Sequence, residues 1–263
     1  MNTIAAYARL WYRSLALVIL LLVPAASAHA GWYACYNFKG SIAQYPVSVS
    51  VQVLRDRYFG EPAKKDFNVL GVYKYDKHNK PIRLEGRLNP GTGEMMLYEM
   101  NGEKQSAVLR INSCSNTCEG TWTDLASKKT LPLQLTRTAV LTDTAEESTG
   151  HNVEILQAFT FLDYYFVGIY SKQAGSRRAQ MDRLHIIRRS DNSLYQVIDL
   201  TGVETASGNV RTIIYDNVEA NGDSKNSFLI WNDIGRMGGY LYVNYNAQTG
   251  KFKLNPEPET DGP

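Results

Sequence analysis

The stretch YPVSVSVQVL, Tyr45 to Leu54, sets valines at 47, 49, 51 and 53, with Ser48, Ser50 and Gln52 between them. Successive side chains of an extended chain point to opposite faces, so this spacing gives one apolar and one polar face. IRLEGRL repeats it, with Ile82, Leu84, Gly86 and Leu88 against Arg83, Glu85 and Arg87. LPLQLT repeats it again through Leu131, Leu133 and Leu135. The turn sequences NPGTG and EMNGEK punctuate these runs. Short alternating strands at close spacing predict an all-β, mainly antiparallel protein whose first module is a barrel or meander.

Outward from these strands, the pattern pauses at TDTAEESTGHN, Thr142 to Asn152. A linker over 141–152 therefore separates a first β module, 31–140, from a second, 153–255. The second carries the runs RLHIIRR, SLYQVIDL, VRTIIYDNV, SFLIW and GYLYVNYNAQTGKFKL, and reads as a twisted sheet or sandwich. Val153 to Phe161 can open it as a short helix. Each module has about 100 residues, enough for its own core. The tail 256–263 is Pro-rich and acidic, a composition expected to be disordered.

The first 30 residues read as a secretory signal peptide: Arg9 and Arg13, an apolar run from Leu15 to Val23, then Ala28-His29-Ala30. The run is too short to span a bilayer, where roughly 20 residues are needed. Trp32 and Tyr33 before Cys35 are bulky for a lipid-attachment site. The expected compartment is the periplasm. The full chain has 28 Lys and Arg against 26 Asp and Glu. Two of the basic residues lie in the leader, so the remainder is close to neutral. Nucleic acid is not an expected partner for such a surface, and no later segment suits a membrane.

An oxidising compartment bears on the three cysteines. Cys114 and Cys118, in SCSNTCEG, are spaced for a local disulfide. C-x3-C without a second Cys/His pair is a poor zinc signal. Cys35 is either free or pairs with one of the other two.

Catalytic constellations are missing from the sequence: there is no G-x-S-x-G elbow, no H-E-x-x-H, and no cysteine beside a candidate base. His78 lies in the turn YDKHNKP, His185 inside an apolar strand, and His151 after a glycine. An enzyme is not expected. Seventeen tyrosines invite another reading. Most fill sheet faces, but Tyr240, Tyr242 and Tyr245, beside Gly238-Gly239 and before Thr249-Gly250, are placed to form a recognition surface.

EANGDSKNSFLIW, Glu219 to Trp231, sets Glu219, Asn221, Asp223 and Ser227 at the spacing of a calcium loop. Ser224 stands where the turn wants glycine, and Ser227 where an acid is usual. The stretch reads as a degenerate calcium site or a polar hairpin turn. No other cofactor is expected.

These segments resemble a family of periplasmic β-proteins that includes immunity proteins against peptidoglycan-cleaving toxins and is related to inhibitors of invertebrate-type lysozyme. That family's last module runs strand, D-x-N-x-D-G loop, strand, Gly-rich turn with an aromatic, then Y-x3-T-G-x-F. Here IIYDNVEANGDSKNSFLIW is followed by GRMGGYLYVNYNAQTGKF, with Tyr245, Thr249, Gly250 and Phe252 in step. RLHIIRRSDNSLYQVI is similar to its strand-turn-strand, and GVYKYDKHNKPIRLEG with CEGTWTDLASKKTLPLQL to the β-domain preceding it. On that pattern Gly71, Tyr73, Tyr75, Ile82, Leu84, Gly86, Gly120 and Trp122 are scaffold positions. The loop departs from the pattern at Glu219, Ser224 and Ser227.

The resemblance implies a non-enzymatic protein that blocks a secreted peptidoglycan hydrolase effector or lysozyme with its loops. Gly238, Gly239, Tyr240, Tyr245, Thr249, Gly250 and Phe252 would form the inhibitory face. The rival expectation is a periplasmic module holding a small apolar ligand or a glycan in its barrel.

Overall fold

A computed structural model describes residues 33–54, 67–142, 150–172, 179–201, 203, 217–234, 237–255 and 259–260. The expected leader, 1–30, and most of the expected linker, 143–149, lie outside the described residues. One compact unit spans Gly31–Pro263.

Eight antiparallel strands form the first module. They are β1 (Tyr33–Ile42), β2 (Tyr45–Leu54), β3 (Val69–Tyr75), β4 (Ile82–Leu88), β5 (Met95–Asn101), β6 (Lys104–Ile111), β7 (Thr117–Asp124) and β8 (Thr130–Thr142). Each pairs with the next in sequence and β8 returns to β1, closing a barrel. Closure removes every unpaired edge. It also forces close approaches: a Cβ on Gly40, Gly86 or Gly120 would meet a neighbouring strand's carbonyl oxygen at about 2 Å. Only glycine fits such contacts, and bends of this kind let a sheet close on itself.

The four valines of β2 face inward, as their alternation requires. They pack with Phe38, Tyr73, Leu84, Leu97, Leu109 and Leu133, so the interior is filled with side chains. Eight strands enclose just enough space for such a core. Among the inward residues is one carboxylate. Glu99 accepts hydrogen bonds from Tyr73 Oη and Trp122 Nε1 on one oxygen and from Ser106 Oγ, at 3.2 Å, on the other. The loop between β6 and β7 is closed by the Cys114–Cys118 disulfide, its Cα atoms 4.8 Å apart.

The second module contains no helix among the described residues. Strands β9 (Gly150–Phe161), β10 (Tyr164–Lys172), β11 (Gln180–Arg188) and β12 (Leu194–Asp199) form one sheet in reverse order. Strands β13 (Val218–Ala220), β14 (Ser227–Ile234), β15 (Met237–Asn246) and β16 (Lys251–Leu254) form another, with β17 (Glu259–Thr260) also on β15. The helix expected at Val153 to Phe161 is strand β9. Its register against β10 shifts between Leu156 and Thr160, and this bulge disturbs the period-2 pattern. Gln157, buried beside the bulge, accepts a hydrogen bond from Asn217 N at 3.1 Å. Two residues of the tail expected to be disordered, Glu259 and Thr260, pair with Tyr240 and Gly239.

The second core extends onto the barrel wall. Cys35, Leu54, Leu70, Val72 and Leu141, on the outside of the barrel, pack with Val153, Ile155, Phe166 and Tyr170. The polar face of β2 is consequently covered as well: Ser50 is 3% and Gln52 0% exposed. Hydrogen bonds cross the junction, among them one from Lys172 Nζ of β10 to Thr142 O of β8 at 2.5 Å. Asn37 Nδ2 donates to Glu154 O at 2.6 Å, Leu156 N to Ser50 Oγ at 3.3 Å, and Asn79 Nδ2 to Arg189 O at 3.1 Å. Cys35 is a free thiol buried at this junction.

Candidate functional site

Strand parity divides the tyrosines of β15. Leu241 and Val243 are buried in the second core, so Tyr240 and Tyr242 point to the opposite face. There Tyr240 pairs with Trp231 of β14, ring centroids 4.6 Å apart, and Tyr242 pairs with Leu229. All four are half-buried. Gly238 and Gly239 lie within β15, opposite Asp233 and Asn232, and not in the Gly-rich turn of the family pattern. Ladder pairing has taken up their backbone.

Tyr245 and Phe252 belong to the core side. Their rings lie 4.8 Å apart, and both meet Phe161. Phe252 is only 4% exposed, so it cannot project into a partner. The turn between β15 and β16 is built around Asn246, whose Oδ1 accepts from Gln248 N and Thr249 N at 2.9 and 3.1 Å. Gly250 closes it at φ +68°, a left-handed conformation that suits glycine.

This turn is clasped by β12. Tyr195 Oη donates to Gly250 O, and Gln196 bonds both backbone groups of Phe252, donating to its oxygen at 2.7 Å and accepting from its nitrogen at 3.0 Å. One amide side chain thus acts as a missing strand between the two sheets. Of the expected inhibitory face, Tyr240 and Thr249 remain toward solvent, while Tyr245, Gly250 and Phe252 hold the structure behind them.

In the loop after β13, Asn221 Oδ1 accepts from Asp223 N at 3.0 Å, and Asn221 Nδ2 donates to Ser227 Oγ at 2.8 Å. This is an Asx turn, in which a side chain replaces a backbone turn contact. Ser227 is buried, and Asp223 is the only acidic side chain between the two strands. Among the described residues no cluster of three His, Cys, Asp or Glu is placed to hold a metal ion. A thermal melt of the protein is expected to show the same midpoint with and without millimolar calcium. A clear rise would mean that the loop rearranges around the ion, since a ligand that binds only the folded state must raise it.

Sequence reasoning did not find a concavity built from both modules. A cleft of about 720 Å³ lies between the barrel wall and the second module. The barrel supplies Asn37, Lys39, Ser48, Ser50, Lys74, Asp76 and Thr138, and the sheet supplies Asn152, Glu154, Tyr165, Val167, His185 and Asn192. Its floor is tightly organised: Lys74 Nζ donates to Asp76 Oδ1 at 3.0 Å and Asn79 Oδ1 at 2.9 Å, and Ser48 Oγ donates to Asp76 Oδ1 at 3.0 Å. Lys74 is 6% exposed, with its ammonium 5.1 Å from the centre of the Tyr165 ring. Tyr165 Oη in turn donates to Asn192 Oδ1. Burial, then the charge of Arg183, lowers the His185 pKa, while Glu154 pulls it upward. Residues 37 to 192 meet here from seven strands, and no local spacing announces such a gathering.

Compared with known proteins, the chain matches no family model, no curated protein and no solved structure.

Proposed function

We propose that this is an exported, non-catalytic inhibitor that binds and blocks a peptidoglycan-degrading toxin or lysozyme in the periplasm. The observation that supports the reading is the row of Trp231, Tyr240, Leu229 and Tyr242 on the outer face of the β14–β15 hairpin. Trp and Tyr are the residues most enriched among binding hot spots, because each gives a large, stiff contact area with a polar tip. A paired sheet presents them at little entropic cost, and the clasp of Tyr195 and Gln196 fixes the hairpin from behind.

The test is cell-wall clearing by a secreted peptidoglycan hydrolase from the same genomic neighbourhood, titrated with the mature protein. Stoichiometric protein is expected to suppress clearing, and Tyr240→Ala to weaken inhibition by roughly thirtyfold or more, the size of a hot-spot loss. Undiminished clearing at excess protein, or a Tyr240→Ala variant as potent as the wild type, sinks this assignment.

A further inference from the structure

The inhibitor reading leaves the cleft unused, and the cleft has the features of a built site. Its volume lies inside the range of about 300–1,000 Å³ common for small-molecule sites, and junctions between structural units are where such sites concentrate. The polar groups of its floor are fixed before any ligand arrives. Lys74, Asp76, Ser48 and Asn79 hold one another, Asn37 is pinned to β9, and Tyr165 is pinned to Asn192. Preorganisation of this kind lowers the entropic cost of binding.

At the rim, the Lys39, Glu154 and His185 side chains make no hydrogen bond or ion pair among the described residues. These groups point to one ligand chemistry. Lys39 and Lys74 face Asp76 and Glu154, so the lining has no net sign and no field that would select a strongly charged ligand. Ammonium and amide N–H groups donate, carboxylates and amide oxygens accept, and a hydroxyl does both. Between the polar groups lie Val140, Val153, Val167 and Ile187, which offer aliphatic contact to C–H faces.

We infer that the cleft between the barrel wall and the β9–β11 sheet binds a neutral, polyhydroxylated ligand, a saccharide of one or two rings. Glu154 accepts hydrogen bonds from its hydroxyls at the rim, and Lys39 and His185 supply donors. The aliphatic strip packs against the sugar's C–H face. This site lies on different residues from the Trp231–Tyr240 row, so the two assignments succeed or fail separately.

The experiment is calorimetry and saturation-transfer NMR on the mature protein with maltose, cellobiose, lactose and N,N′-diacetylchitobiose, and with glucose 6-phosphate as the charged probe. At least one neutral disaccharide is expected to bind with a Kd of about 1 mM or tighter. Glu154→Ala removes an exposed carboxylate, and Thr138→Trp fills the rim. Each is expected to weaken binding by about tenfold or more with an unchanged melting midpoint, while Tyr240→Ala leaves the affinity as it was. The inference is overturned if none of the four disaccharides binds, if glucose 6-phosphate binds more tightly, or if both cleft variants bind within twofold of the wild type.

Discussion

Replacing Glu99 by alanine is expected to destabilise the folded chain by about 3–5 kcal/mol, while Glu99→Gln costs about 1 kcal/mol. The difference follows from which oxygen does what. Glu99 lies inside the barrel, 8% exposed, in phase with Met95 and Leu97 on β5. Its Oε1 accepts from both Tyr73 Oη and Trp122 Nε1, and its Oε2 from Ser106 Oγ. Alanine strands the indole N–H and the Tyr73 hydroxyl among apolar side chains. A buried donor left unpaired costs about 1–3 kcal/mol, and the truncated side chain adds a cavity.

Glutamine keeps the shape and the Oε1 acceptor, and its new N–H₂ can donate to the Ser106 hydroxyl. The register of β5 against β6 shifts at Glu99/Met100 and leaves Ser106 unpaired in the ladder, which is why its hydroxyl is at hand. Denaturant unfolding followed by tryptophan fluorescence measures both variants. Equal losses in the two, or an alanine variant within about 0.5 kcal/mol of the wild type, would falsify this account of the barrel interior.

The alternation of β2, β4 and β8 made the barrel readable, because a half-buried strand must sort its side chains by parity and nothing else does so over ten residues. The same rule, applied to MMLYEMN, places Glu99 with Met95 and Leu97. An inward carboxylate was therefore legible, although its three donors come from strands far apart in sequence. Parity also separates Tyr240 and Tyr242 from Tyr245, a distinction that treating the three as one surface overlooks. What could not be read is how the modules pack. Ser50 and Gln52 look like solvent-facing residues, and their burial depends on β9 arriving from a hundred residues away. The bulge that made Val153 to Phe161 look helical arises in the same packed region. The cleft follows from that packing, so its residues carried no spacing of their own.

Stability is expected to fall steeply as pH rises from 9 to 11, by several kcal/mol in total. Four buried weak acids set this window. Burial pushes the Cys35 thiol from 9.0 up to about 12. Burial, helped by the charges of Asp76 and Glu154, pushes the Tyr165 phenol from 10.0 to about 12. Tyr170 is raised further, chiefly by burial, and Tyr73 by burial and then by the neighbouring Glu99 carboxylate.

In the unfolded chain the thiol loses its proton above pH 9 and the phenols above pH 10, while the folded chain still holds all four. The unfolded state then binds fewer protons, so stability declines with rising pH. Their contribution is complete below pH 9 and is lost progressively up to the folded values, near 12 for Cys35 and Tyr165 and higher for Tyr170 and Tyr73. Each such group removes about 1.4 kcal/mol per pH unit within its window. By pH 11 the combined loss rivals the 5–15 kcal/mol total typical of a folded domain.

Denaturant midpoints at pH 8, 10 and 11, with phenolate absorbance recorded alongside, measure it. Cys35→Ala should delay the onset of the decline by about one pH unit, because the phenols begin to contribute only near pH 10. A midpoint that stays flat to pH 11, with every phenolate appearing near pH 10 in the folded protein, rules out the tight inter-module packing around Cys35, Tyr165 and Tyr170 on which the cleft depends.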